Sequence, residues 1–521
     1  MTLYSRAHAR RAIFHTVGYR AISQVATPLS YVVLVRGLSE QALGVYSLLY
    51  SVIPVVATIA SFGLDQVLKR YQPEFLRVGN LSGSRWLLQR VAVIRLLSSA
   101  ALIAVLLLCW NVVAPLFHLA AHRAEFALFS LVVLLYFQTL LLQSSLASQM
   151  LQRYSVGSAA LLALTKLGAY ALLWKSGHFT LRSAILADAV AYGATFAFLL
   201  IASRAVHAAS PDQTPYRPTV EEKARFRRYA IVNHFSDVGS LLLYVQTDNF
   251  FIAALMNPIA VGAYAFYARL NEMTANLIPI RLFENVVQPV LFAIPPLEAK
   301  ERLPRYFSLL ININLIFQLP LIAYTVVYHR EIVQLIFGGK FIGYSGLLPL
   351  IVALAFSENV VSIPVTMIAQ YTEQVSIILK SQLFGLYQVV AMLLLIPLLG
   401  LYGAAIATGT LHLLRNLYVW WHVRSYARWL NYREALVCAL VVWAGAIAVG
   451  FVVKGALHLS AVWALLSGVL ICGAASLLYV RTAALSATDR DILGRVMHGR
   501  EGDVLRWLGV LRRAMGTQGP N

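Results

Sequence analysis

The stretch Ile13-Phe-His-Thr-Val-Gly-Tyr-Arg20-Ala-Ile-Ser-Gln24-Val-Ala-Thr27-Pro-Leu-Ser-Tyr31-Val-Val-Leu-Val35 is an apolar run long enough to cross a bilayer, with a guanidinium inside it. Thr16, Arg20, Gln24, Thr27 and Tyr31 recur at spacings of three and four, so a helix carries them on one stripe. A charge at the centre of a lipid-facing helix costs about 2.5–3.5 kcal/mol on insertion scales. The stripe is therefore expected to face protein or a watery cavity. The next run repeats the pattern, with Ser47, Ser51, Pro54, Thr58 and Asp65 on a shared face. Helices lined in this way hold or move something polar within a membrane.

The whole chain fits that reading. Its 521 residues are 59% hydrophobic and 12% charged, and the mean hydropathy is +0.71. A soluble domain is about half apolar and about a quarter charged, so the composition predicts a polytopic, all-α membrane protein. Apolar runs recur about fourteen times at spanning length. They centre near Ser23, Val55, Ala104, Leu135, Leu167, Tyr192, Leu242, Thr274, Leu315, Ala355, Leu386, Gly409, Gly445 and Gly468. The most polar are those at Ser23, Leu242 and Thr274.

The net charge of +20 does not point to nucleic acid. With the N-terminus inside, most Lys and Arg fall in cytoplasmic segments, which is the positive-inside bias. The clusters are Arg6, Arg10 and Arg11; Lys69, Arg70, Arg77, Arg85 and Arg90; Lys223, Arg225, Arg227 and Arg228; and the tail from Arg481 to Arg513. They orient the chain and suit contact with anionic membrane lipids. An even number of spans puts both termini in the cytoplasm. Cys109, Cys438 and Cys472 are scattered through apolar runs without metal or disulfide spacing. Arg20 interrupts the first run and no small-residue cleavage site follows, so that run is expected to remain as a span rather than be removed.

The sequence divides into an N-terminal six-helix lobe over residues 1–203, a cytoplasmic linker over 204–229, and a C-terminal six-helix lobe over 230–425. Two additional spans over 426–480 and a basic cytoplasmic tail over 481–521 complete it. Pro211, Pro215, Pro218 and the run Glu221 to Arg228 mark the linker. Gly44-Val-Tyr46 with Tyr50 opens the second span, and Gly262-Ala-Tyr264 with Tyr267 opens the eighth. This pairing is a candidate internal repeat, and six spans per repeat leave both copies in one orientation. In the tail, Val504, Leu505, Leu508 and Leu511 share a face, as an interfacial amphipathic helix would; a basic tail without fixed structure is the alternative. No long outer loop is expected, the largest outer segment being about His329 to Gly346.

Polar residues within the spans form the candidate sites. Asp237, Ser240, Tyr244 and Asp248 recur at three- and four-residue spacings in the seventh span. Arg269, Glu272 and Asn276, then Arg281, Glu284 and Gln288 beyond Pro279, follow in the eighth. Arg269–Glu272 and Arg281–Glu284 have the i,i+3 spacing of neutralising pairs, and a bend at Pro279 is needed to align the two sets. Arg95, Lys166, Asp188, Glu358, Lys380 and Arg415 place single charges in other spans. Of these Arg95, Lys166 and Arg415 suit structural ion pairs. The chain carries no Walker loop, no zinc-protease helix and no Cys/His cluster, so no catalytic residue, metal ligand or cofactor is assigned.

Arg36-Gly-Leu-Ser-Glu-Gln-Ala-Leu-Gly-Val-Tyr46, Ser61-Phe-Gly-Leu-Asp65 and Lys69-Arg70-Tyr71 open a series of motifs. Asp248 with Val261-Gly-Ala-Tyr264, Leu335-Ile-Phe-Gly338 with Lys340-Phe341, and Gly400-Leu-Tyr-Gly-Ala-Ala-Ile-Ala407 continue it. In order and spacing the series resembles the polysaccharide and O-antigen flippases of the multidrug/oligosaccharidyl-lipid/polysaccharide exporter superfamily, over roughly residues 10 to 425. The resemblance implies two six-helix lobes around a central cavity that opens alternately to each side of a bacterial inner membrane. It implies an undecaprenyl-pyrophosphate-linked oligosaccharide as substrate, with a polysaccharide polymerase and glycosyltransferases as candidate partners. The family has no fixed set of such residues, so position alone puts Arg20, Gln24, Asp65, Arg269 and Arg281 in the substrate-binding role, the arginine cations suiting a pyrophosphate. Asp237, Asp248 and Glu284 take the cation-coupling role. The last two spans, as in fourteen-helix relatives, are implied to form a groove for the lipid tail, with simple packing as the alternative.

Three other functions fit parts of the sequence. A cation-coupled multidrug exporter of the same superfamily shares the fold, but the long linker, extra spans and opening motifs favour the flippase. A lipid II flippase carries cationic motifs that are not evident here. A membrane glycosyltransferase or polymerase needs extramembrane mass that this chain lacks.

Overall fold

The computed structural model describes residues 6–149, 151–208, 216–292 and 294–484. The expected tail helix around Val504 to Leu511, and Pro211 and Pro215 of the linker, lie outside them. Among the described residues the chain is helical, with no strand. Ten helical segments are long and apolar enough to cross a membrane, eleven if one bent pair counts as a single span. The protein is a multi-pass membrane protein. The expected spans near Ser23, Thr274 and Gly409 are helices as well, but fall short of that apolar mark. Their polar residues account for the difference. Two compact units follow each other along the chain, Met1–Ala265 and Phe266–Asn521.

In the first unit, α1 (Arg6–Gly37) packs mainly on α7 (Gln152–Ser176). Helix α2 (Glu40–Ser61) begins where the Ser39 hydroxyl accepts the amide of Ala42, and Glu40 favours the positive helix start. It ends at Phe62 and Gly63, both left-handed at φ 48° and 69°. Gly63 is required there twice over, because a Cβ would also stand 2.1 Å from the carbonyl oxygen of Ala230. The amphipathic α3 (Leu64–Arg77) follows. Val67, Leu68, Tyr71 and Phe75 bury one face against α4 (Leu81–Leu108) and α6 (Arg123–Ser148), in an apolar cluster that Leu199 and Ala202 of α8 (Leu181–Ala208) join. The short α5 (Trp110–Leu116) links α4 to α6.

Thr219 and Glu222 form a reciprocal capping box that starts α9 (Val220–Ser240). Below it, Arg225 donates to both Glu74 oxygens at 2.6 and 2.7 Å and lies over the Tyr71 ring. After Ser240 the helix tightens through Leu241–Leu243, and Tyr244 turns extended at ψ 135°. The chain then resumes as α10 (Val245–Leu255), bent by 52°. The Thr247 hydroxyl donates to the carbonyl of Leu241 at 2.7 Å, satisfying an acceptor that the break releases. Helix α11 (Pro258–Ala275) starts against α2, where a Cβ on Gly44 would come within 1.8 Å of the Pro258 oxygen. The division between the units falls inside α11.

The second unit continues through α12 (Pro279–Phe292) to α13 (Ala299–Phe337). The latter runs well into the segment expected as an outer loop from His329. Next come α14 (Leu347–Leu354), a π turn at Ser357–Ser362, and α15 (Ile363–Tyr371). Helices α16 (Val375–Ser381), α17 (Phe384–Leu399) and α18 (Leu401–Val423) complete the part before the extra spans. Those are α19 (Tyr432–Leu457) and α20 (Ala461–Tyr479), both packed on α13. Trp443, Ala475 and Tyr479 bury against Leu315 and Ala323 of that helix. At Tyr328 α13 leaves helical geometry, with φ −115° and ψ 15°. Lys454 of α19 meets this kink, donating to the Val327 carbonyl at 3.1 Å and pairing with Glu331 at 2.8 Å. The Tyr328 ring is lodged where Gly468 leaves room, since a Cβ there would sit 2.4 Å from it. Close approach at small residues is how membrane helices gain packing energy.

Candidate functional site

Four polar clusters are built into the helices, two of them around buried carboxylates of the first unit. Asp188, on α8, is completely buried. Its Oδ2 accepts from the hydroxyls of Tyr46 at 2.7 Å and Tyr50 at 2.5 Å, and its Oδ1 from Tyr170 at 2.6 Å. Lys166 Nζ stands 2.9 Å from Oδ1, donates to Tyr50, and lies over the Tyr50 and Tyr192 rings. A carboxylate offers about four lone-pair sites, and here four donors fill them. The charge is neutralised and no acceptor is left for another cation unless Lys166 moves. In the sequence Lys166 and Asp188 are single charges in separate spans, and nothing local joins them to this cluster. Its signal is a spacing of four in three helices: Tyr46–Tyr50, Lys166–Tyr170 and Asp188–Tyr192.

Asp248 on α10 is also fully buried, and accepts from the Tyr264 hydroxyl at 2.9 Å. Beside it Asn249 donates to Ser51 at 2.8 Å. Tyr46 and Tyr264 hold the same place in the two candidate repeat motifs, and each donates its hydroxyl to a buried aspartate. The expected single stripe of Asp237, Ser240, Tyr244 and Asp248 does not form. The break at Leu241–Tyr244 puts Asp237 and Asp248 on two helices, because Tyr244 is extended rather than helical.

Asp237 instead joins α3. It is half-buried, within Coulombic reach of Asp65, His234 and Lys69. Asp65 pairs with the buried Arg95 at 2.5 Å, and Arg95 also lies over the Phe137 ring. Two aspartates therefore share this patch with Arg95 and Lys69.

Arg20 and Gln24 are exposed on α1, which buries Ala26 and Ser30 instead. Among the described residues neither joins an ion pair. Arg269 pairs with Glu272 at 2.5 Å, the i,i+3 partner its spacing implied, and both are solvent-accessible. The chain breaks between α11 and α12 just before Pro279, where a bend was needed. Arg281 does not meet Glu284, which is exposed. It donates to Asn359 Oδ1 at 3.0 Å.

That contact leads to the fourth cluster, around the π turn of the second unit. A π turn withdraws carbonyls from the regular ladder, and side-chain amides take them up. Asn416 donates to the Ser357 carbonyl and hydroxyl at 3.1 Å each, and Asn314 to the Val360 carbonyl at 3.1 Å. Asn359 donates to Gln318 at 3.2 Å, and Gln318 to the Val352 carbonyl at 2.9 Å. Glu358, in the same turn, faces His412 Nδ1 at 3.3 Å. On the outside of α19 and α20, a groove of about 610 Å³ is lined by Val437, Cys438, Val441, Val442 and Leu478, with Arg433, Glu434 and Thr482 beside them.

The comparisons with known proteins agree with this architecture. By sequence, the chain matches none of the curated proteins. Among solved structures it is similar to "Lipid II flippase MurJ, inward closed conformation", with a TM-score of 0.61 at 12% identity, over 90% of this chain and 98% of that one. It is also similar to an inward-facing "multidrug resistance MATE family transporter of the MOP superfamily", with a TM-score of 0.58 at 13% identity, over 79% of this chain and 98% of that one. The outward-facing conformation of such a transporter gives 0.53 at 15% identity, over 80% and 96%. At these identities the likeness shows a shared fold. The sequence model described as "Polysaccharide biosynthesis protein" matches residues 33–345, more than half of the chain. The chain belongs to this family of polysaccharide biosynthesis proteins, and it shares its fold with the lipid II flippase and the multidrug transporters it resembles.

Proposed function

We propose that the protein is a flippase that carries an oligosaccharide linked to undecaprenyl pyrophosphate across the bacterial inner membrane for surface polysaccharide synthesis. The family match is the observation that carries this reading, supported by the fold shared with a lipid II flippase. The protein works by alternating access, as a transporter and not an enzyme, with both termini in the cytoplasm. Arg20, Gln24, Arg269 and Arg281 are the proposed substrate contacts, the guanidiniums for the pyrophosphate. Asp65, paired with Arg95, is a further proposed substrate contact, and coupling to a cation falls to its neighbour Asp237 and to Asp248. Glu284, exposed on α12, is a weaker candidate for the same role. The apolar groove at α19 and α20 suits the prenyl tail.

Deleting the gene and following lipid-linked intermediates tests the reading. Undecaprenyl-linked oligosaccharide should accumulate on the cytoplasmic leaflet while surface polysaccharide falls. Unchanged surface polysaccharide together with altered drug susceptibility favours a multidrug exporter instead.

A further inference from the structure

The π-turn cluster has more positive charge than it neutralises. Among the described residues Glu358 is its one carboxylate, and Arg281, His412 and Arg415 lie around it within Coulombic reach. Its contacts are long: 3.3 Å to His412 and 3.5 Å to Asn416. The other ion pairs set deep in the helices close at 2.5 Å for Arg95–Asp65, 2.9 Å for Lys166–Asp188 and 2.8 Å for Lys454–Glu331. Glu358 keeps 28% of its side chain exposed. Around it, Nε of Arg281 and Nε of Arg415 are buried without a hydrogen-bond partner. Buried donors of this kind are normally satisfied, and guanidinium forks match the oxygens of phosphate groups in pairs.

We propose that Arg281, His412 and Arg415 form an anion site for a phosphoanhydride group, and that Glu358 is a tethered anion holding the site until the ligand displaces it. The inference rests on the flippase reading for its ligand, and adds to it the site's own internal competitor. Asn416 and Asn314 hold the carbonyls of Ser357 and Val360, so the π turn keeps its shape when the Glu358 side chain swings out. Electroneutrality then favours the exchange: a pyrophosphate brings more charge to two guanidiniums than one carboxylate does. Either the headgroup of a prenyl lipid or a free pyrophosphate has the required chemistry.

The test measures binding of farnesyl pyrophosphate, inorganic pyrophosphate and farnesol to the full-length protein in nanodiscs. Glu358→Gln is expected to tighten farnesyl pyrophosphate about tenfold, by removing the competitor. Arg281→Gln and Arg415→Gln should each weaken it by at least about tenfold, as loss of a charge-assisted contact does. Inorganic pyrophosphate following the same order identifies the anion as the recognised group; a response confined to farnesyl pyrophosphate identifies a lipid headgroup. Either result supports the site. Equal tightening for farnesol, or a Glu358→Gln protein that folds with unchanged or weaker affinity, overturns it. If Glu358→Gln does not fold, the two arginine variants decide, and unchanged binding in both overturns the site. Wild-type binding that ignores all three substitutions leaves the flippase reading standing and removes this site alone. The flippase reading itself falls only by the lipid-intermediate measurement.

Discussion

Lys166 and Asp188 stand 2.9 Å apart on neighbouring helices α7 and α8, and the tyrosines of α2 close the cage around them. Removing one partner of a buried pair leaves the other charged and uncompensated, typically at a cost of about 3–5 kcal/mol. Lys166→Met should therefore destabilise the protein by that order, seen as a lower melting temperature of the full-length chain in detergent. The double variant Lys166→Met/Asp188→Asn should recover most of the loss. A Lys166→Met protein as stable as the wild type contradicts the saturated-cage reading.

Arg95 has a different burden. It is the buried neighbour of Asp65, and Asp65 lies within reach of Asp237. Arg95→Gln leaves two partly exposed carboxylates facing each other, whereas Asp65→Asn strands the buried Arg95 guanidinium without its counter-charge. The aspartate variant should be the less stable by about 1 kcal/mol or more, because water screens the acids but not the buried cation. Restoration of Arg95→Gln by a second change, Asp237→Asn, checks the repulsion between the acids; failure to restore separates the two aspartates.

Gly44 lies where α11 begins on α2. A side chain there meets backbone, not a flexible tip. Gly44→Val should cost about 1–3 kcal/mol through displacement of the Pro258 turn. Reduced yield of folded protein with a lowered melting temperature is the expected readout, and a neutral effect refutes the close approach.

Thr219 supplies one half of the capping box that opens α9. Thr219→Ala should lose about 1 kcal/mol locally. Faster amide exchange confined to the first turn of α9, with the rest of the chain unchanged, is the expected signature.

The helical class and most of the spans were legible in the sequence because they depend on apolar run length, a local property. So was the Arg269–Glu272 pair, set by i,i+3 spacing. The Asp188 cage was not, because its members come from three helices and meet only through packing. Tyr46 and Tyr50 carried a hint in their spacing, but an i,i+4 tyrosine pair alone does not say which carboxylate it serves. The stripe from Asp237 to Asp248 failed for the opposite reason. Helical periodicity assumes an unbroken helix, and the extended Tyr244 with its Thr247 support ends one. Arg281 likewise found Asn359, far away in sequence, rather than the nearby Glu284.

The lysine at the bend of α13 has a practical meaning for anyone shortening this protein. Cutting the chain after Val423 yields a smaller molecule with an injury, not a minimal transporter. Glu331 loses its counter-charge, the Val327 carbonyl its donor, and the Tyr328 ring its glycine-lined berth. A stable shortened form must mend that wound first, with Glu331→Gln and a smaller residue in place of Tyr328 as the natural starting changes.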